Sequence, residues 1–119
     1  MISKVLVANR GEIAQRVIRT VHDMGRRAVA IYSDTDRDAA FVSAADEAYA
    51  LDGTNYADTY LNIERILEIA NQSGADAVHP GYGFLSEIPQ FAEAVVEAGL
   101  TWIGPSASVL LRLGDKIQA

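Results

Sequence analysis

The sequence predicts an α/β fold, an open parallel sheet of about five strands with helices on both faces. Three observations predict it. Short apolar runs rich in β-branched residues alternate with longer segments whose apolar residues recur at helical spacing. Three of those helical segments end at a glycine (Gly25, Gly74 and Gly99), and a strand-like run follows each almost at once. Helix-to-strand connections that short belong to parallel strands covered by helices. The chain has 119 residues, half of them hydrophobic and 22% charged, which is the size and balance of one globular domain and excludes a disordered tail.

The expected strands are Lys4 to Ala8, Ala28 to Ser33, a weak Glu47 to Leu51, Asp76 to His79 and Leu100 to Ile103, none with an internal proline. Between the first two, Ile13, Val17, Val21 and Met24 line one face of a helix, and Gly25 supplies the left-handed residue that ends it. Ile63, Ile66, Leu67 and Ala70 do the same before Gly74, as do Phe91, Val95 and Val96 before Gly99. Asp34 to Ala45 reads as an aspartate-rich turn followed by a short helix around Ala39 to Ala44, and Asp52 to Tyr60 as a polar loop. Ser106 can cap a last helix through Val109, Leu110 and Leu113 to Gly114. Asp115 to Ala119 then stop without a capping element, which predicts a piece of a longer chain. The plan is Rossmann-like.

Ten Lys and Arg against sixteen Asp and Glu give a formal net charge of -6, a field that repels a phosphate backbone and argues against nucleic-acid binding. The absence of cysteine excludes a disulfide framework, a thiolate metal site and a cysteine nucleophile. His22 and His79 are the only histidines, too few for a histidine-rich metal site. The apolar run near Met1 is too short for a signal-peptide core or a membrane span, so a cytoplasmic protein with no membrane contact is expected.

In open α/β sheets, ligands bind outside the carboxyl ends of the strands. Four segments fall there: Ala8 to Glu12, Ser33-Asp34, His79 to Glu87 and Gly104 to Ser106. Gly11 opens a helix whose free N–H groups suit an anion, although a tight turn with Glu12 complementing the dipole explains the same residues. Arg10 suits either a phosphate or a nearby carboxylate. In the third segment two glycines flank Tyr82, which lets backbone approach a ligand beside an aromatic face and Glu87; the alternative is a rigid turn with Tyr82 and Phe84 packed on the core. A histidine at a strand end before Pro80 is more often structural than catalytic. On the first helix Arg16, Arg19 and Asp23 run along the polar side, either as a solvated face or against a partner.

Val7-Ala8-Asn9-Arg10-Gly11-Glu12-Ile13-Ala14, with His79-Pro80-Gly81-Tyr82-Gly83-Phe84-Leu85-Ser86-Glu87 further on, resembles the amino-terminal domain of biotin carboxylase. The likeness extends to Tyr60-Leu61-Asn62-Ile63, Ile103-Gly104-Pro105 and Gly114-Asp115-Lys116, and so covers the whole chain. It fits acyl-CoA carboxylases and pyruvate carboxylase equally. The resemblance implies that residues 1–119 are the pre-ATP-grasp domain, the first of three, without the ATP-grasp and carboxy-terminal domains. Such enzymes use ATP, with Mg2+ or Mn2+, to activate bicarbonate as carboxyphosphate and carboxylate biotin on a carrier protein, for a carboxyltransferase component to use.

By the same resemblance, Lys116 reaches the phosphates of ATP, and Tyr82, Gly83 and Glu87 lie in the loop on the biotin side of the site. Arg16, Arg19 and Asp23 match the helix face used in the family's homodimer, Asp23 standing where glutamate is common. Catalytic residues and metal ligands match nothing in this chain, so the isolated segment is expected to hold no cofactor tightly and to be inactive. Ile88 stands where the family usually has an asparagine able to cap the next helix, so the helix from Pro89 is expected to begin loosely or to be capped by Ser86. Two readings from other classes are a nucleotide- or dinucleotide-binding module, with Asp34 on a ribose hydroxyl, and a non-catalytic dimerisation domain.

Overall fold

A computed structural model describes residues 1–118, with side chains described through Leu113. The elements in chain order are β1 (Lys4–Val7), α1 (Gly11–Asp23), β2 (Arg27–Tyr32), a single 3-10 turn (Asp34–Asp36), α2 (Ala40–Ala44) and β3 (Glu47–Ala50). They continue with α3 (Ile63–Ser73), β4 (Ala77–His79), α4 (Pro89–Glu97), β5 (Thr101–Trp102) and α5 (Ala107–Gln118). All five expected strands form; β2 keeps the length of its apolar run but starts one residue earlier, and the other four are one or two residues shorter than theirs.

The strands pair in parallel in the order β3-β2-β1-β4-β5. Consecutive strands thus step outward from β1 to β3, and the chain then returns across β1 to place β4 on its other side. Strand side chains alternate between the two faces. Val5, Val7, Ala28, Ala30 and Ala77 face α1 and α2, where Ala14, Val17, Ile18, Val21 and Phe41 cover them. Leu6, Val29, Ile31 and Val78 face the opposite way, onto Ile66, Ile69 and Ala70 of α3 and Phe91 and Val95 of α4. Covering both faces requires nearly continuous apolar strands, as β1 and β2 have.

Gly25, Gly74 and Gly99 all take positive φ where their helices end. At Gly74 (φ 73°) the reversed backbone lets the N–H of Ala75 return to the carbonyl of Ala70 at 3.1 Å, so the chain re-enters the sheet at Ala77. Asn62 caps the start of α3, its Oδ1 accepting from the Arg65 N–H at 3.1 Å. The helix from Pro89 has no side-chain cap: Ile88 stands at the capping position and Pro89 follows as first helical residue. Ser86 does not cap it, since its N–H closes a turn onto Gly83 and no contact joins its hydroxyl to the helix. Ser106 does reach the N–H of Val109, at 3.4 Å, at the start of α5.

Three helical expectations need correction. The core-facing stripe of α1 is Ala14, Val17, Ile18 and Val21, while Met24 is 65% exposed because α1 has already ended at Asp23. Val96 is exposed, on the flank of α4 that turns away from Phe91 and Val95. The last helix continues through Gly114 to Gln118, because a glycine inside a run of good helix formers weakens a helix without ending it.

Phe91 is fully buried and meets Trp102 edge-on, with ring centroids 5.5 Å apart. Phe91→Ala is expected to cost about 3–5 kcal/mol through lost transfer energy and the cavity left behind. Urea denaturation followed by circular dichroism measures it.

Candidate functional site

Because every strand is parallel, their carboxyl ends share one edge. The return across β1 makes the gap between β1 and β4 the point where the strand order reverses, the place at which open α/β sheets bind ligands. Two of the segments singled out in the sequence meet there: Ala8 to Glu12 after β1, and His79 to Glu87, which starts from the last residue of β4.

They are joined by Asn9, which is fully buried. Its Nδ2 donates to the carbonyls of Pro80 (2.9 Å) and Tyr82 (2.7 Å), and its Oδ1 accepts from the Arg10 N–H at 2.8 Å. Gly81, between those two carbonyls, has φ 68°, and a Cβ there would lie 2.8 Å from both Asn9 Nδ2 and Ile13 Cγ2. No larger residue fits that approach. His79 accepts the Gly81 N–H at Nδ1 (3.0 Å), and burial holds its pKa below the ordinary imidazole value. A neutral ring that accepts from backbone is structural, in agreement with the sequence reading.

Arg10 resolves in favour of a carboxylate. Its Nε and Nη2 donate to Asp36 at 2.6 and 2.7 Å in a two-pronged pair. Asp36 is 6% exposed and also accepts from the Tyr60 hydroxyl (2.6 Å) and, more distantly, from Ser33 Oγ (3.4 Å). The Arg10 guanidinium holds the Asp36 carboxyl below the usual carboxylate range against the opposing effect of burial, with Tyr60 and Ser33 adding to it. Burial, followed by the bond to Asp36, pushes the Tyr60 phenol up to about 12. The Ser33 N–H in turn donates to the Tyr60 oxygen at 3.0 Å. Arg10, Ser33 and Asp36 also line a cleft of about 300 Å3, with Thr35, Thr54 and Asn55.

Sequence reasoning missed this centre. Asp36 was one aspartate of three in a turn and Tyr60 the end of a polar loop; only the spacing in space distinguishes them.

The Pro80 to Glu87 loop is held differently at its far end. Phe84 (φ 49°) packs against Tyr56 and Tyr60, with centroids 5.0 and 5.5 Å away, and Leu85 is buried. Phe84 therefore takes the packed role, while Tyr82 stands 75% exposed and Gly83 and Glu87 are exposed beside it. The loop presents an aromatic ring, open backbone and a carboxylate to whatever approaches the switch point.

Arg16, Arg19 and Asp23 are all exposed on α1. No ion pair joins Arg19 to Asp23 or Glu12 to Arg16, and Arg16 Nη1 donates to Thr20 Oγ1 instead (2.5 Å). Beside them runs a groove of about 950 Å3. Ile13, Val17, Val21 and Met24, the stripe read from the sequence, line it together with Arg16 and Tyr82. The Lys116 side chain lies outside the described residues. Among the described residues no three histidine, aspartate or glutamate side chains gather to hold a metal ion, and no helix is long and apolar enough to cross a membrane.

Residues 1–110 match the family described as biotin carboxylase, N-terminal domain. The chain belongs to that family. It is 54% identical over 119 residues to the biotin carboxylase of Halalkalibacterium halodurans, covering all of this chain and 26% of that protein. To the biotin-dependent acyl-coenzyme A carboxylase alpha3 subunit of Mycobacterium leprae it is 55% identical over 118 residues, covering 99% of this chain and 20% of the relative. Among solved structures, the biotin carboxylase domain of a thermophilic 2-oxoglutarate carboxylase, bound to ADP, superposes with a TM-score of 0.93 at 52% identity. That match covers 99% of this chain and 26% of the other. This biotin carboxylase N-terminal domain thus spans about a quarter or less of the length of these relatives.

The depressed Asp36 pKa has a defined pH signature. A carboxyl group with a lowered folded pKa contributes stability above its unfolded value, 3.8, and loses that contribution as pH falls through it toward the folded value. Asp36→Asn is expected to cost about 1–3 kcal/mol at pH 7, the weight of hydrogen bonds to a charged group. Urea titrations of both proteins should show that deficit narrowing as the pH is taken below about 4.

Proposed function

We propose that this domain is the first part of a cytoplasmic biotin carboxylase, which uses ATP and bicarbonate, with Mg2+ or Mn2+, to carboxylate biotin on a carrier protein or domain. A carboxyltransferase component then takes up the carboxyl group. The observation that carries the reading is the exposed Tyr82, Gly83 and Glu87, held at the switch point of a parallel sheet between two anchored loop ends. A flat ring with open backbone beside it suits a small fused-ring ligand such as biotin, bound by stacking and backbone hydrogen bonds. Family membership along residues 1–110 supports the same reading.

In this proposal the domain supplies binding rather than proton transfer. Tyr82, Gly83 and Glu87 line the biotin side, Lys116 on α5 provides a positive charge for the phosphates of ATP, and the metal-binding acids and the general base belong to later domains. ATP supplies the activation of bicarbonate. Residues 1–119 by themselves bind no cofactor tightly and do not catalyse. Arg16, Arg19 and Asp23, exposed and not paired with one another, form part of a homodimer contact. The Asp34 reading is not favoured: its N–H is taken by Gly53, and its carboxylate lies 3.7 Å from Arg37.

The test is ADP release by the full-length chain that contains this segment. Release that requires bicarbonate and rises with biotin is expected, and release indifferent to both overturns the proposal. Lys116→Gln should weaken ATP about tenfold to a hundredfold, the weight of one hydrogen bond to a charged group. For the dimer contact, Arg19→Glu in the same protein should lower the mass measured by light scattering toward that of a monomer. An unchanged mass removes that helix face from the interface.

A further inference from the structure

We propose that Asn9 is a positioning residue for the biotin-side loop, its carboxamide holding two carbonyls of that loop so that Tyr82 and Gly83 are presented at one place. The proposal rests on the biotin reading above and adds to it a residue that touches no substrate.

Both N–H donors and the oxygen of the side chain are engaged. A carboxamide has two N–H donors and a carbonyl acceptor. Asn9 places its NH2 group on the carbonyls of Pro80 and Tyr82 and its oxygen on the Arg10 N–H. Two carbonyls separated by one residue converge on a single nitrogen only if the chain between them bends tightly, and Gly81, at φ 68°, makes that bend. The fit leaves no slack, since a Cβ on Gly81 would press on Asn9 Nδ2 at 2.8 Å.

Tyr82 cannot place itself. Its ring is 75% exposed and no hydrogen bond of its hydroxyl ties it to the described residues, so its position follows from its own backbone. That backbone hangs between the Phe84 and Leu85 anchor on one side and Pro80 on the other. Asn9 grips it at the Tyr82 carbonyl. Asn9 in turn is bonded to the N–H of Arg10, whose guanidinium is paired with Asp36. The loop is therefore registered against the ends of β1 and β2 as well as against β4.

No other small side chain reproduces this. Aspartate has the same shape and retains an acceptor for Arg10, but turns an oxygen toward two carbonyl oxygens. Alanine leaves both carbonyls without the donor. Each variant should loosen residues 80–83 while the sheet beneath persists.

The experiment uses Asn9→Ala, Asn9→Asp and Gly81→Ala in the full-length chain. Bicarbonate-dependent ADP release gives KM for free biotin, the same reaction without biotin gives KM for ATP, and hydrogen exchange follows the amides of residues 81–87. We expect KM for biotin to rise about tenfold or more with KM for ATP within about twofold, a split that general loss of stability does not produce. Amides 81–83 should exchange faster while those of β1 and β2 do not. Gly81→Ala disturbs the same contact from the loop side and should give the same split, which keeps the test open if Asn9→Ala fails to fold. Equal losses for biotin and ATP, or an unchanged biotin KM, overturn the proposal. If the unaltered protein shows no response to biotin, the proposed function fails instead. Loop exchange in Asn9→Ala then decides the clamp, unchanged exchange of residues 81–83 overturning it.

Discussion

Asp36 must stay ionised where almost no water reaches it, and the carboxyl edge of the sheet is built around that requirement. An ionised carboxylate out of water is stable only with a close opposite charge and satisfied oxygens. Arg10 brings the charge from the end of β1, Ser33 a hydroxyl from the end of β2, and Tyr60 a hydroxyl from the loop that precedes α3. These segments are far apart in sequence and have no backbone ladder in common at this point. Meeting the needs of one carboxylate brings them together, and Tyr60 carries the consequence further because its ring is one of the two on which Phe84 rests.

The exposed loop after β4 therefore hangs from two anchors of different chemistry. At Pro80 the anchor is polar and directional, through Asn9. At Phe84 it is aromatic and less demanding in angle, though Phe84 itself sits at a positive φ that costs a non-glycine residue about 1–3 kcal/mol. Between the anchors Tyr82 and Gly83 face outward. A loop held at both ends and open in the middle can present a ring and bare backbone to a ligand without losing much freedom on binding.

Most of the fold was legible in the sequence. Runs such as Lys4 to Ala8 and Ala28 to Ser33 are strands because they are apolar, β-branched and bounded by turns, and those are local properties. Gly25, Gly74 and Gly99 end their helices because only a left-handed residue lets the chain turn straight back into the sheet. The site was legible in part: the two segments that meet at the switch point were singled out, and His79 was read as structural. Met24 and Gly114 went the other way. Helical spacing describes where a side chain would point if the helix continued, and it says nothing of where the helix stops. The roles of Asp36, Tyr60 and Asn9 left no local signal, because the contacts that define them, Arg10 and Tyr60 on Asp36 and Pro80 and Tyr82 on Asn9, span 24 to 73 residues.

By itself, then, the sequence determined the alternation of strand and helix, the parallel sheet, the family and the loops that would lie at the carboxyl edge. These follow from periodicity, turn chemistry and short motifs, all carried by neighbouring residues. Tertiary structure alone decided that Arg10 is spent on Asp36 and that Asn9 holds the loop from below. It also decided that Phe84 packs while Tyr82 does not. Those outcomes depend on β2 and β4 lying on either side of β1, and hydrogen bonds a few ångströms long can select their partners only after the sheet has brought the loops together.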